Sequence, residues 1–222
     1  MTFKTKLILQ IVSVYIFVLS ISWISNNLVL NIHDNWIIII TCFLEIALIG
    51  FITLKVDKKS LSSVGLLHFS IWDFGHGLIL GIVLYLLQIL PPILIMKMDI
   101  SQYGSQFDIY SFLSKLIFLT VTIGFSEELV FRGFIFSKLN QLIKSKLLII
   151  LISSILFYCI HLTGTLAINW THIYSTSITT ILFCGYLYLS KKKTILPLLL
   201  AHGLYDTLIS GYGLIIWNLF SM

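Results

Sequence analysis

Long apolar runs, broken by short links that carry most of the lysines, set the pattern of the chain. Seven runs are long enough to cross a bilayer as helices, at about 20 residues each. They are Leu7–Leu30, Trp36–Leu54, Phe74–Met96, Phe112–Ser137, Leu147–Thr163, Ile173–Ser190 and Thr194–Trp217. The first follows Lys4 and Lys6, as a signal peptide would. Its apolar run is too long for one and no small-x-small cleavage site follows, so it reads as an uncleaved span. Between the second and third runs, Leu61, Val64, Leu67 and Ile71 repeat at helical spacing, which predicts an interfacial segment over 60–74. No internal repeat, low-complexity tract or second domain is visible. The expected fold is an all-α, polytopic transmembrane helical bundle of about seven spans, with residues 1–222 forming a single membrane domain.

Composition narrows the class further. The chain is 58% hydrophobic and only 10% charged, whereas soluble domains carry about a quarter charged residues. Such a chain cannot cover a soluble core. The runs are also far longer than the strands of a membrane β-barrel. A net charge of +5 invites a nucleic-acid reading, but the lysines stand singly or in short clusters between apolar runs. That distribution encodes topology and implies no nucleic-acid partner. Cys42, Cys159 and Cys184 all lie inside apolar runs, form no C-x-x-C pair, and read as small buried hydrophobes.

The basic residues also orient the chain. With the N-terminus inside, the cytoplasmic segments are the tail with Lys4 and Lys6, then 55–59, 138–146 and 191–193. They hold eleven of the fourteen basic residues. The outer side holds Lys97 and Lys115, with Asp34, Asp99 and Asp108, and Arg132 falls inside a span. The split predicts N-terminus in and C-terminus out.

A charge inside a span costs roughly 2.5–3.5 kcal/mol on insertion scales, so each is a functional candidate by default. The candidates are Glu45, Glu127, Glu128, Arg132, His161, His202 and Asp206. Glu128 and Arg132 are four apart and can pair on one helix face. Glu127 is turned about 100° away, which leaves a surplus acid of the kind a general base needs. Taken singly, the pair could equally be a packing salt bridge and His161 an interhelical hydrogen-bonding group. His202 and Asp206 also share a face and could be supporting structure, a metal half-site or a catalytic pair. Depth favours a common site. At about 1.5 Å per residue from the nearest lysine, Glu127 lies about 16 Å in, His161 about 22 Å, His202 about 14 Å and Asp206 about 20 Å.

Known intramembrane chemistries can be tested against this set. There is no H-E-x-x-H for a zinc protease, no second intramembrane Asp for an aspartyl protease, and no Gly-x-Ser-Gly loop for a rhomboid-type serine protease. Water activation by a carboxylate, with histidine help and a polar pair for the oxyanion, fits what remains.

Glu127-Glu128-x-x-Phe131-Arg132-Gly133, then Phe157-x-x-x-His161, then His202-x-x-x-Asp206 resemble the three motifs of the CPBP family. This is the CAAX protease and bacteriocin-processing, or Abi, family of intramembrane endopeptidases. The resemblance covers about residues 110–215, the expected catalytic core. It implies a glutamate-dependent peptidase in which Glu127 activates water together with His161. Glu128 and Arg132 would hold the helix and tune the site, and His202 and Asp206 would form the oxyanion hole. The last position is often Asn in the family. A carboxylate donates to an oxyanion only when protonated, so Asp206 could instead orient His202. Glu45 matches no motif and is expected outside the site.

No cofactor is expected, with zinc on Glu127, His161 and His202 as the alternative. The partners expected are the lipid bilayer and a peptide precursor or membrane-protein substrate; no oligomeric state is implied. An Ile- and Lys-rich, Ala-poor composition suggests an AT-rich bacterial genome and a multi-pass protein of the cell membrane. Prenylated CAAX substrates would be out of place there. The rival reading is a non-catalytic bacteriocin self-immunity or membrane scaffold protein with the same fold. A transporter is weaker, since no broken helix pair is evident.

Overall fold

The computed structural model describes residues 2–28, 34–67, 70–95, 97, 106–162, 170–190 and 193–221. These residues form seven helices and, among them, no strand. Helix α1 is Phe3–Leu28, and α2 is Asp34–Phe51 continued by a π-helical turn, Ile52–Val56. Helix α3 is Ile71–Leu94 and α4 is Ile109–Leu142. Helix α5 is Lys146–His161 and α6 is Trp170–Leu189. Helix α7 runs from Leu196–Thr207 to a kink at Gly211, whose φ is 115°, and resumes as Gly213–Ser221. The fold is all-α, as expected.

Five helices, α1 to α4 and α7, are long and apolar enough to cross a membrane, and α5 is apolar but shorter. Helix α6 has the length, at 20 residues. Its run of Thr and Ser between Thr171 and Thr180 lowers its hydropathy. With this many apolar helices the protein is a multi-pass membrane protein. Its surface agrees: Phe43 on α2 is 67% exposed while Glu45, two residues on, is 6% exposed. Apolar side chains face outward and polar ones inward, the reverse of a soluble helix.

Two expectations change. The 60–74 segment is not one amphipathic helix. Leu61–Val64 makes a single 3-10 turn that ends at Gly65, whose φ of 82° favours glycine. The Gly65 carbonyl then accepts hydrogen bonds from the Ile195 N–H (3.0 Å) and the Thr194 hydroxyl (3.1 Å). These contacts tie the turn to the chain before α7, and α3 starts separately at Ile71 under a Ser70–Asp73 capping box. Helix α4 is also longer than the expected span. It starts at Asp108, whose carboxylate caps the Tyr110 and Ser111 N–H groups at 3.2 and 3.0 Å. The expected span ends Leu30, Met96 and Thr163, the outer Asp99, and Lys191 and Lys192 lie outside the described residues.

The chain forms two compact units interleaved in sequence. Unit 1 is Met1–Leu67 with Phe125–Ile195, and unit 2 is His68–Gly124 with Leu196–Met222.

In unit 1, α1 packs on α2, on α5 and on the C-terminal part of α4, and α5 packs on α6. Val14, Ile49, Phe134, Ile135, Ile149 and Phe183 are buried there. One end is stapled by Asp57. Its carboxylate accepts from Lys6 (2.9 Å) and Lys138 (2.8 Å), and from the Gln10 amide (2.8 Å). The segments bearing Lys6, Lys55–Lys59 and Lys138 therefore meet at one end of the unit.

In unit 2, α7 packs along α3 and along the N-terminal part of α4. Gly77 and Gly81, four apart on α3, make the close approach possible. A Cβ on either would stand 2.9 Å from a carbonyl of α7, that of Pro197 or Ala201. This is the small-residue spacing of tightly packed membrane helices. Gly203 on α7 meets Thr120 in the same way, with a built Cβ 2.6 Å from its Cα.

Candidate active site

Helix α4 is irregular where the glutamates sit. It is π-helical over Thr120–Gly124 and again over Leu129–Ile135. Only Phe125–Glu128 between them is α-helical. Such widened turns concentrate at functional sites.

Glu128 and Arg132 pair as their spacing predicted. The Nη1 donates to Oε1 of Glu128 at 3.1 Å, and both side chains are almost wholly buried. The Nη2 donates to the Thr180 hydroxyl on α6 at 3.2 Å. The guanidinium also lies 4.3 Å from the Phe157 ring and 5.5 Å from the Phe183 ring. Its Nε has no hydrogen-bond partner among the described residues, so the pair relies on the Thr180 hydroxyl and the two rings. Here one arginine joins α4, α5 and α6. Gly133 lets this part of α4 approach the 3-10 turn, because a Cβ there would lie 2.6 Å from the Val64 carbonyl.

Glu127 stays out of that pair, as the helical repeat required. It lies on the Phe125–Glu128 segment, which packs against α2. The Ser126 hydroxyl, on the residue before it, donates to Oε2 of Glu45. Sequence reasoning set Glu45 aside because it matches no motif. The structure brings it to the motif, and the one signal available beforehand was that it is an ionisable residue inside a span.

His161 ends α5. Its Nδ1 lies 2.8 Å from the Phe157 carbonyl. A carbonyl only accepts, so Nδ1 is the donor in this contact, and Nε2 is the ring nitrogen left for the site. The Phe157 and His161 rings also meet edge to face, with centroids 4.9 Å apart. Phe157 thus receives Arg132 on its ring and holds Nδ1 of His161 with its carbonyl.

His202 and Asp206 belong to unit 2. Nε2 of His202 lies 3.6 Å from Oδ2 of Asp206, too long for a direct hydrogen bond. His202 is buried and Asp206 is partly exposed. On the next residue face, the Tyr205 hydroxyl donates to the Gln88 amide oxygen on α3 at 2.5 Å, which fixes the rotation of α7 about its axis. Among the described residues no group of three His, Cys, Asp or Glu side chains is placed to hold a metal ion; of the alternative zinc donors, Glu127 and His161 belong to unit 1 and His202 to unit 2.

Unit 1 also has an open cleft of about 560 Å³ lined by Ser62, Arg132, Asn140, Tyr188 and Lys193 among others. It lies at the lysine-bearing end, with Lys146 5.0 Å from the Tyr188 ring.

Residues 109–208 match the family described as type II CAAX prenyl endopeptidase Rce1-like. Over that segment, a little under half of the chain, the protein is similar to the CAAX proteases of that family. No curated protein and no solved structure matches the chain.

Proposed function

We propose that this protein is a glutamate-dependent intramembrane endopeptidase that cleaves a peptide precursor or a membrane-associated protein in a bacterial cell membrane. The observation that carries the reading is the division of labour between adjacent glutamates. Glu128 pairs with Arg132 through Oε1, and Glu127 lies on the segment that packs against α2. Glu127 then takes a proton from water, with the lone pair on Nε2 of His161 as the second acceptor, and the hydroxide adds to the scissile carbonyl. His202 and Asp206, one turn apart on α7, form the oxyanion side of the site, with His202 the donor. The proton held at Glu127 passes to the leaving amine as the peptide bond breaks. Glu128 and Arg132 hold the turn that carries Glu127.

This chemistry uses the chain's own acid and base groups and no metal. Exhaustive chelation should leave the purified enzyme active. One tightly bound zinc per chain, with activity tracking occupancy, would replace the mechanism by a metal one on Glu127, His161 and His202. The function itself is tested by cleavage of a co-expressed candidate precursor and of a prenylated CAAX-terminated peptide, wild type beside Glu127→Ala. Cleavage of neither, with retained binding of a partner in the membrane, would support the non-catalytic immunity or scaffold reading. We further propose N-terminus in and C-terminus out. Cysteine labelling at position 169 should report the outer face and at position 192 the cytoplasm.

A further inference from the structure

We infer that Glu45, on α2, is a positioning residue of the glutamate site, acting on Glu127 through Ser126. The inference rests on the proposed role of Glu127 and extends it to a helix outside the segment that matches the family.

A carboxylate buried in a membrane helix is costly, and a carboxylate retained only for packing would be neutralised by a cation. Among the described residues of unit 1 the buried cations are spoken for. Arg132 pairs with Glu128 and Lys138 pairs with Asp57. The hydrogen-bond partner of Glu45 is instead the hydroxyl of Ser126, which is itself fully buried. Ser126 and Glu127 are neighbours in the four-residue α-helical segment Phe125–Glu128, with π-helical turns on both sides. Widened turns loosen the rotational register of what lies between them. An anchor from another helix at Ser126 therefore sets the direction in which Glu127 points. The Phe125–Glu128 segment itself packs against α2, which brings Glu127 to the helix that carries Glu45. An apolar residue at 45 would serve α2 better if burial were its only task.

The test uses the full-length protein, purified in lipid nanodiscs. The first readout needs no substrate. The infrared difference between wild type and Glu127→Gln isolates the carboxyl signature of Glu127. It should shift when the same difference is taken in a Glu45→Gln background and in a Ser126→Ala background. Ser126→Thr, which keeps the hydroxyl, should restore it. The second readout is a double-mutant cycle on the peptide that wild type cleaves. Glu45→Gln should lower kcat by about 10-fold or more, with KM changed less than about twofold, as misplacement of a reacting group does. In a Glu127→Ala background it should change the residual rate less than about twofold. A merely structural Glu45 would depress the residual rate in both backgrounds and leave the Glu127 signature unmoved, and that result overturns the inference. An unshifted spectrum also overturns it. If Glu127→Ala cleaves as wild type does, the proposed function fails by itself. If Glu127→Ala is inactive and Glu45→Gln cleaves as wild type does, only the role of Glu45 fails.

Discussion

In unit 1 the buried polar side chains include Glu45, Glu128, Arg132 and Lys138, whereas in unit 2 they are Asp73, Gln88, His202 and Thr207. Unit 1 thus buries several charges together, and unit 2 buries mainly neutral or titratable groups. Packing differs in the same way. The ion pairs Glu128–Arg132 and Asp57–Lys138 bind helices of unit 1 to each other or brace one turn. The helices of unit 2 are joined where Gly77, Gly81 and Gly203 admit a neighbouring backbone. The contrast teaches that the proposed machinery is held by two kinds of force. Charge and hydrogen bonds orient Glu127 and His161, and steric closeness of glycine-faced helices orients His202. Perturbations of charge should therefore separate from perturbations of size.

The largest effect is expected in unit 1. Glu127→Ala should lower the cleavage rate by about 10²-fold or more, because the proposed base is removed. Its melting temperature should stay close to that of the wild type. A retained rate would leave the comparison without its chemical half. In unit 2, His202→Ala should cost about 10²-fold through the lost oxyanion donor, again measured as kcat with folding checked in parallel.

Steric insertions should act in the opposite sense, on stability before chemistry. Gly81→Leu should destabilise by about 1–3 kcal/mol or more, since overpacking forces α3 and α7 apart. Thermal unfolding in detergent should show it directly. A Gly75→Ala control meets open space and should change little. If Gly81→Leu leaves the melting temperature unchanged, glycine contact is not what fixes α7.

The smallest effect is pH-dependent and belongs to the lysine end of unit 1. Burial alone would raise the Asp57 carboxyl, but hydrogen bonds from Gln10, Lys138 and Lys6 outweigh it and hold the group well below the usual carboxylate range. The group binds a proton more weakly folded than unfolded. Its contribution is therefore fully present above about pH 4, the unfolded value, and is lost as pH falls toward the folded one. Asp57→Asn should lose roughly 1–2 kcal/mol at neutral pH. The difference from wild type should shrink on acidification. A constant gap down to low pH would show that the staple acts by shape and not by charge.

What the sequence revealed and what it hid follow from separation along the chain. Helix count followed from the length of the apolar runs. The Glu128–Arg132 and His202–Asp206 neighbours followed from a four-residue spacing, which a helix converts into contact by itself. The exclusion of Glu127 from the arginine pair followed from the same repeat. Ser126 and Glu45 are 81 positions apart, so their contact exists only once α2 lies against α4. The stacking of Arg132 on Phe157 is hidden for the same reason. The break at Gly65 was missed because Leu61, Val64, Leu67 and Ile71 keep a helical period that the Gly65–Ile195 contact overrides.

The interleaving of the two units has a consequence for synthesis. Each unit is built from an early and a late stretch of chain, 1–67 with 125–195 and 68–124 with 196–222. Neither can close as it emerges. The second helix leaves the ribosome with Glu45 well before Ser126 exists, and at about 5–20 residues per second the delay lasts several seconds. During that time a bare carboxylate sits in a segment entering the bilayer. The early helices therefore have reason to linger at the insertion machinery until the fourth arrives. A nascent chain arrested near residue 100 should be held at the insertion site, and one arrested past residue 142, with enough tether to clear the ribosome, should be released into lipid.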